Sequence, residues 1–188
     1  GKIAWFDDLN MLVVAGLYLG HPRPWRQSPS ELKKSQEFLK KKKHLARLLW
    51  ASETNLWEAF GNGDIWIAYA WPNDWVQMKK KKLKVVYMRP KEKPVAWVGM
   101  FMLLNGSPRP KLAHAYVNSW SSTKSAKWLE DNYGYGHANV KARPSSSDLL
   151  KALQLTNPRA VTEPAAHLDR DIPQRAAYAR AWEQVKAS

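Results

Sequence analysis

The sequence predicts an α/β fold, and three observations carry that expectation. Short apolar runs of strand length alternate with helix-length segments along most of the chain. Helix start signals stand ahead of several of those segments. The apolar runs at 65–70, 83–88 and 95–104 are rich in β-branched or aromatic residues and end in turn chemistry.

Taken in order, residues 2–6 read as a short strand and 9–19 as a helix with an apolar face, followed by a Pro-rich loop at 20–27. Ser28-Pro29-Ser30-Glu31 has capping-box spacing with Pro at the first helical position, so a helix starts there and runs to about Lys43. Residues 45–50 are apolar enough for a strand, and Ser52-Glu53-Thr54 caps a helix ending near Gly61. Residues 65–70 form a continuous apolar run, expected as a buried parallel strand that feeds a turn at Pro72-Asn73-Asp74. Trp71 sits at that strand's C-terminal end. Two more strands are expected at 83–88 and 95–104, the latter carrying Trp97 near its start, which would bring Trp71 and Trp97 side by side. A turn at 105–110 leads to helices at 111–120 and 122–133. A polar stretch with Pro144, Pro158, Pro164 and Pro173 has little β signal, and the last helix carries Tyr178, Ala181, Trp182 and Val185 on one side.

Composition bounds the function classes. With 188 residues, 45% hydrophobic content and 11 Trp, the chain can bury a sizeable core as one domain or two small ones. There is no Cys, which removes disulfides, thiolate chemistry and Cys-based metal sites and says little about compartment. No apolar run approaches the roughly 20 residues that span a bilayer, and no basic-then-apolar leader pattern opens the sequence. The five His show neither HExxH nor paired metal spacing, GxSxG is absent, and Gly61-Asn62-Gly63 and Gly134-Tyr135-Gly136 are too short to cradle a phosphate. Neither catalysis, a metal nor a cofactor is expected.

The formal charge of +14, from 30 Lys and Arg against 16 Asp and Glu, is the largest compositional oddity. The surplus lies in Lys33-Lys34, Lys40 to Lys43, and Lys79 to Lys82 with Lys84. Such runs fit solvated helix faces, or a basic surface for an acidic protein or another polyanion. Nucleic acid is the least favoured partner, since no recognised module is present and most Trp lie in apolar runs.

One order of motifs carries a resemblance: helix, Gly61-Asn62-Gly63-Asp64, apolar strand, Trp71, short helix, strand, Pro90-Lys91-Glu92, then a strand with Trp97 early in it. With GKIAWFDD and its apolar helix at the N-terminus, the helix pair at 111–133, the Gly134-Tyr135-Gly136 turn and the closing helix, the chain resembles the spermidine/putrescine-type extracellular solute-binding proteins of ABC importers. The resemblance implies a periplasmic-binding-protein-like lobe, a mixed or parallel sheet flanked by helices. It makes residues 1–93 the body of the family's second lobe, 94–141 a segment returning to the first lobe, and 142–188 C-terminal helices packing on the body. A first lobe would then lie outside these residues, and the location would be periplasmic or extracellular.

By the same resemblance, Asp8, Trp71, Trp97 and Tyr135 fall on ligand-binding positions. Rings and carboxylates together suit a cationic ligand. Gly99 stands where the family has a carboxylate two residues after the third-strand Trp, and Asn10 or Met11 stands in place of another acid, so a polyamine site would be degraded. Read without the resemblance, Asp8 fits a helix cap, the two Trp fit packing, and Tyr135 fits a turn anchor. Two functions follow: a component of an ABC import system that binds a small organic solute and meets a permease or a first lobe, or a non-catalytic structural subunit derived from the family that docks on an acidic assembly.

Overall fold

The computed structural model describes residues 1–154 and 164–188; Pro158 lies outside them. The chain divides into two compact units, the first made of 1–70 with 170–188 and the second of 71–169.

The first unit is built on a parallel three-stranded sheet in the order β2–β1–β3, with β1 (Ile3–Phe6), β2 (Ala46–Trp50) and β3 (Ile67–Ala68). β1 is central and Ala4 is wholly buried. Four helices belong to this unit: α1 (Asn10–Tyr18), α2 (Pro29–Lys42), α3 (Glu53–Gly61) and α8 (Arg175–Lys186). The predicted capping box of α2 forms, with Glu31 N donating to Ser28 Oγ at 3.3 Å and Ser28 N to Glu31 Oε2 at 2.7 Å. The Ser28 N–H, together with the Ser28 hydroxyl that donates to the same Oε2 at 2.8 Å, holds the Glu31 carboxyl below its usual range. α8 buries Tyr178, Ala181, Trp182 and Val185, one stripe at helical spacing. Tyr178 OH donates to Pro24 O at 2.8 Å and accepts from Gln27 N at 2.9 Å, while Trp182 Nε1 donates to Asp7 Oδ1 at 2.9 Å. Buried side chains of this size contribute about 1.5–3 kcal/mol each, so α8 is fixed by packing and aimed by hydrogen bonds.

The run at 65–70 is parallel as expected but not buried throughout. Only Ile67–Ala68 pair, and while Ile65 is 1% exposed, Trp66 and Ile67 are 75% and 42% exposed. β3 is an edge strand, and just before it Lys2 Nζ lies 5.6 Å from the exposed Trp66 ring.

In the second unit, α4 (Pro72–Lys80), α5 (Pro110–Trp120), α6 (Thr123–Tyr133) and α7 (Ser147–Leu153) accompany a two-stranded parallel sheet of β4 (Val95–Ala96) and β5 (His167–Leu168). Trp75, Val76, Leu149 and Leu153 form its core cluster, with Val85 and Tyr87 packed against it. Pro72-Asn73-Asp74 is the first turn of α4 rather than a separate turn, because Pro at the first helical position leaves no amide to satisfy. The strand expected at 83–88 is absent. Its alternation survives, with Val85 and Tyr87 inward and Val86 and Met88 exposed, but no strand lies beside it among the described residues.

The strand expected at 95–104 is likewise cut to two residues, because β5 offers only His167 and Leu168 as partners. From Val98 to Leu104 the apolar side chains are exposed, Met100 by 81% and Met102 by 87%. α7 lies in the stretch where the sequence carried little signal. Ser146 starts it, its Oγ accepting from Asp148 N and Leu149 N.

Candidate functional site

The second unit brings Trp71, Trp97 and Tyr135 together. Trp97 is the middle ring, 5.6 Å from Trp71 at 76° and 5.5 Å from Tyr135 at 74°, both edge to face. Such pairs contribute about 0.5–1.5 kcal/mol each beyond their burial. Trp97 is 47% exposed, and Trp71 and Tyr135 are half-buried, so ring surface remains open to a ligand.

Each ring is placed by a separate local device. Trp71 precedes α4, and its backbone N–H donates to Asp74 Oδ2 at 2.7 Å, which ties the ring's backbone to a buried carboxylate in the first helical turn. Trp97 leaves the end of β4, where His167 N donates to Pro94 O at 2.8 Å and Asp169 N to Ala96 O at 2.7 Å. Tyr135 follows Gly134, whose φ of 69° ends α6 in the left-handed region. A Cβ at Gly134 would stand 2.7 Å from Leu153 Cδ1 and 2.9 Å from Val76 Cγ2, so the turn needs glycine for space as well as for its dihedral.

The aromatic row continues beyond the predicted residues. Tyr133 lies 6.4 Å from Tyr135 with the rings 13° from parallel, and Trp128 lies 5.6 Å from Tyr133. The signal that could have found Tyr133 is Tyr-Gly-Tyr at a helix end: a left-handed glycine between two tyrosines turns both rings to one side. Trp128, five residues earlier on α6, is not at i,i+3 or i,i+4 spacing from Tyr133, so helix periodicity alone does not predict its ring contact.

Asp8 belongs to the first unit. Its Oδ1 accepts from Asn10 N at 2.8 Å, so it satisfies an amide at the start of α1, as the capping alternative expected. Its neighbour Asp7 anchors α8 through Trp182 Nε1 and Lys186 Nζ, the latter at 3.2 Å; Glu183 first, and Asp7 after it, raise the Lys186 ammonium above its ordinary value.

Two further acids of the second unit lie on α6. Burial pushes the Glu130 carboxyl upward, and its Oε2 has no hydrogen-bond partner among the described residues. Burial acts upward on Asp131 too, but hydrogen bonds from Ser145 and Lys127 outweigh it and hold that carboxyl low. A Cβ at Gly99 meets nothing within 4 Å, so the missing carboxylate next to Trp97 is not excluded by space. Among the described residues no cluster of three His, Cys, Asp or Glu could hold a metal, and no helix is long and apolar enough to cross a membrane.

The sequence profile of the bacterial extracellular solute-binding proteins matches residues 1–155. The chain belongs to this family. Its α/β architecture is that of a periplasmic-binding-protein-like lobe, as expected. This family member is similar to the putrescine/cadaverine-binding protein of Pseudomonas aeruginosa, 23% identical over 203 residues, which take in 99% of this chain and 54% of the relative. The chain thus spans about half the length of the curated relative it matches.

Proposed function

We propose that this solute-binding family member contacts a small organic solute through Trp71, Trp97 and Tyr135 as a non-catalytic component of an ABC import system. The observation that supports this is the convergence of the three rings on Trp97, which leaves half-exposed aromatic surface in a unit with its own core. Asp8, in the first unit, is carried as a ligand-binding candidate by the family resemblance alone. The division into a second-lobe body at 1–93, a returning segment at 94–141 and C-terminal helices at 142–188 belongs to the same reading. A companion lobe would cover the exposed apolar residues from Val98 to Leu104, since soluble proteins rarely leave such runs uncovered. A periplasmic or extracellular location and an ABC permease as partner follow from it.

The relative binds diamines by name, but here Gly99 supplies no carboxylate beside Trp97 and the chain carries +14. A solute with one positive charge or none suits these rings better than a polyamine.

Tryptophan fluorescence and titration calorimetry against amino acids, short organic acids, putrescine and spermidine test the reading. At least one singly charged or neutral solute should bind, and Trp97→Ala should abolish it. Silence across the set, or a solute whose affinity Trp97→Ala leaves unchanged, would sink the proposal.

A further inference from the structure

α2 has one face in the core and another that the solute site does not use. Ser35 and Leu39 are buried, while Lys34, Glu37, Phe38 and Lys41 recur at i, i+3, i+4 and i+7 and form one ridge. With Leu19 and His21 beyond the end of α1, these residues line a shallow depression of about 440 Å3 in the first unit.

Leu19 and Phe38 are its apolar part, with His21 and Glu37 lining it as polar groups. Tyr18 stacks on Phe38 at 4.9 Å and 26°, and is itself 60% exposed beside a partly exposed Leu19. One side is rigid, because His21 Nδ1 is held 3.0 Å from Oε1 of Gln27, whose Nε2 donates to Leu12 O and Pro24 O. The rim is cationic. Lys34 and Lys41 have no ion-pair partner among the described residues, whereas Glu37 lies 3.9 Å from Lys33. Seven residues of helix separate the two lysines, about 10 Å along the axis at 1.5 Å per residue.

We propose that this depression docks an acidic amphipathic helix of a protein partner, seating one apolar side chain on Leu19 and Phe38 between carboxylates on Lys34 and Lys41. The inference is independent of the solute site and goes beyond it. An apolar part between two cations calls for an apolar residue between two acids, and carboxylates seven residues apart on a partner helix match the lysine spacing. Glu37 opposes a continuous polyanion, and Leu19 and Phe38 give a phosphate backbone nothing to contact, so a protein segment fits better than nucleic acid or an anionic bilayer.

The test uses the full chain and a fluorescein-labelled helical peptide, Glu-Ala-Ala-Leu-Ala-Ala-Ala-Glu within neutral Ala-Gln flanks, read by anisotropy. Binding should weaken as ionic strength rises from about 0.01 to about 0.15 M, which shortens the Debye length from about 30 to about 8 Å. The double variant K34E/K41E, checked for fold by circular dichroism, should lose about tenfold or more, since each exposed pair is worth about 1.5- to 5-fold and repulsion replaces it. F38A should lose several-fold, as should the peptide with serine in place of leucine. Absence of binding, an unaffected K34E/K41E, or a serine peptide as tight as its parent would overturn the proposal. So would displacement of the peptide from these lysines by duplex DNA or phosphatidylglycerol vesicles at lower charge concentration. Because Trp97 is untouched by these variants, solute binding reports separately.

Discussion

Replacing Gly134 with alanine is the sharpest test of how the aromatic site is held. Its φ of 69° puts any other L-residue in a region costing about 1–2 kcal/mol. The added methyl would also meet Leu153 Cδ1 at 2.7 Å, Val76 Cγ2 at 2.9 Å and Pro72 Cβ at 3.4 Å. Forcing a methyl into packed side chains costs typically about 1–3 kcal/mol more, so Gly134→Ala should destabilise the second unit by about 2–5 kcal/mol. Gly106 supplies the control within the same unit: its φ is 77°, and nothing lies within 4 Å of its Cβ. Gly106→Ala should therefore cost only the dihedral, about 1–2 kcal/mol. Urea unfolding followed by far-ultraviolet circular dichroism gives both numbers. Near-ultraviolet dichroism of Gly134→Ala should also change, as Tyr135 is pushed off Trp97. Equal losses from the two substitutions would show that the contacts at Gly134 yield without cost, and the argument that this turn positions Tyr135 would fail.

Glu130 is buried with its carboxyl raised by burial, so its folded-state value lies above its unfolded one. Stability linked to it is full below the unfolded value near about pH 4 and is lost as pH rises through the folded one; melting temperatures of wild type and Glu130→Gln across that rise should diverge, with the variant flatter, and parallel curves would deny the shift. Asp74→Ala removes the acceptor of the Trp71 amide and should cost about 1–2 kcal/mol in urea midpoint analysis, an outcome at odds with a wild-type midpoint. Gly99→Asp places a carboxylate two residues from Trp97 without a clash and should raise putrescine affinity by about two- to fivefold, the worth of an exposed charge pair; calorimetry showing no gain would remove position 99 from the ligand's path.

Much of the fold was legible because local chemistry and tertiary contacts agree. The α2 start at Ser28 and Glu31 could be read four residues at a time, and the α8 stripe from Tyr178 to Val185 announced its own buried face. The three rings were legible only through the order of motifs, since neither Trp71 nor Tyr135 has a neighbour in sequence that brings it to Trp97. Asp8 could be read two ways from sequence, and the structure gives it a capping bond. Asp74 looked like turn chemistry because Pro-Asn-Asp suits both a turn and a helix start; what separates them is the apolar Trp75, Val76 and Met78 that follow and bury. α7 falls within the C-terminal helices expected at 142–188 but had no bounds of its own, because a seven-residue helix has too few residues to show a period among Pro and Ser.

The strand at 83–88 is absent and the one at 95–104 is cut to Val95–Ala96 for a different reason, and it bears on function. Alternation records which side of an extended chain avoids water, not whether a neighbour supplies the hydrogen bonds. At 83–88 the inward set found the core through Val85 and Tyr87 without a strand beside it. After Ala96 no such cover exists among the described residues: from Val98 to Leu103 no backbone–backbone hydrogen bond is made to another described residue, and α5, which follows, buries none of its residues. Phe101 instead gathers Tyr116 and Trp120 of α5 at 6.0 and 5.9 Å into an exposed aromatic group. A strand-like apolar segment and the unburied helix after it, joined by ring contacts, form a surface that remains coherent without being covered. That is the pattern expected of an interface rather than of poor folding, because a residue that merely failed to pack would have no reason to find the same partners as its neighbours.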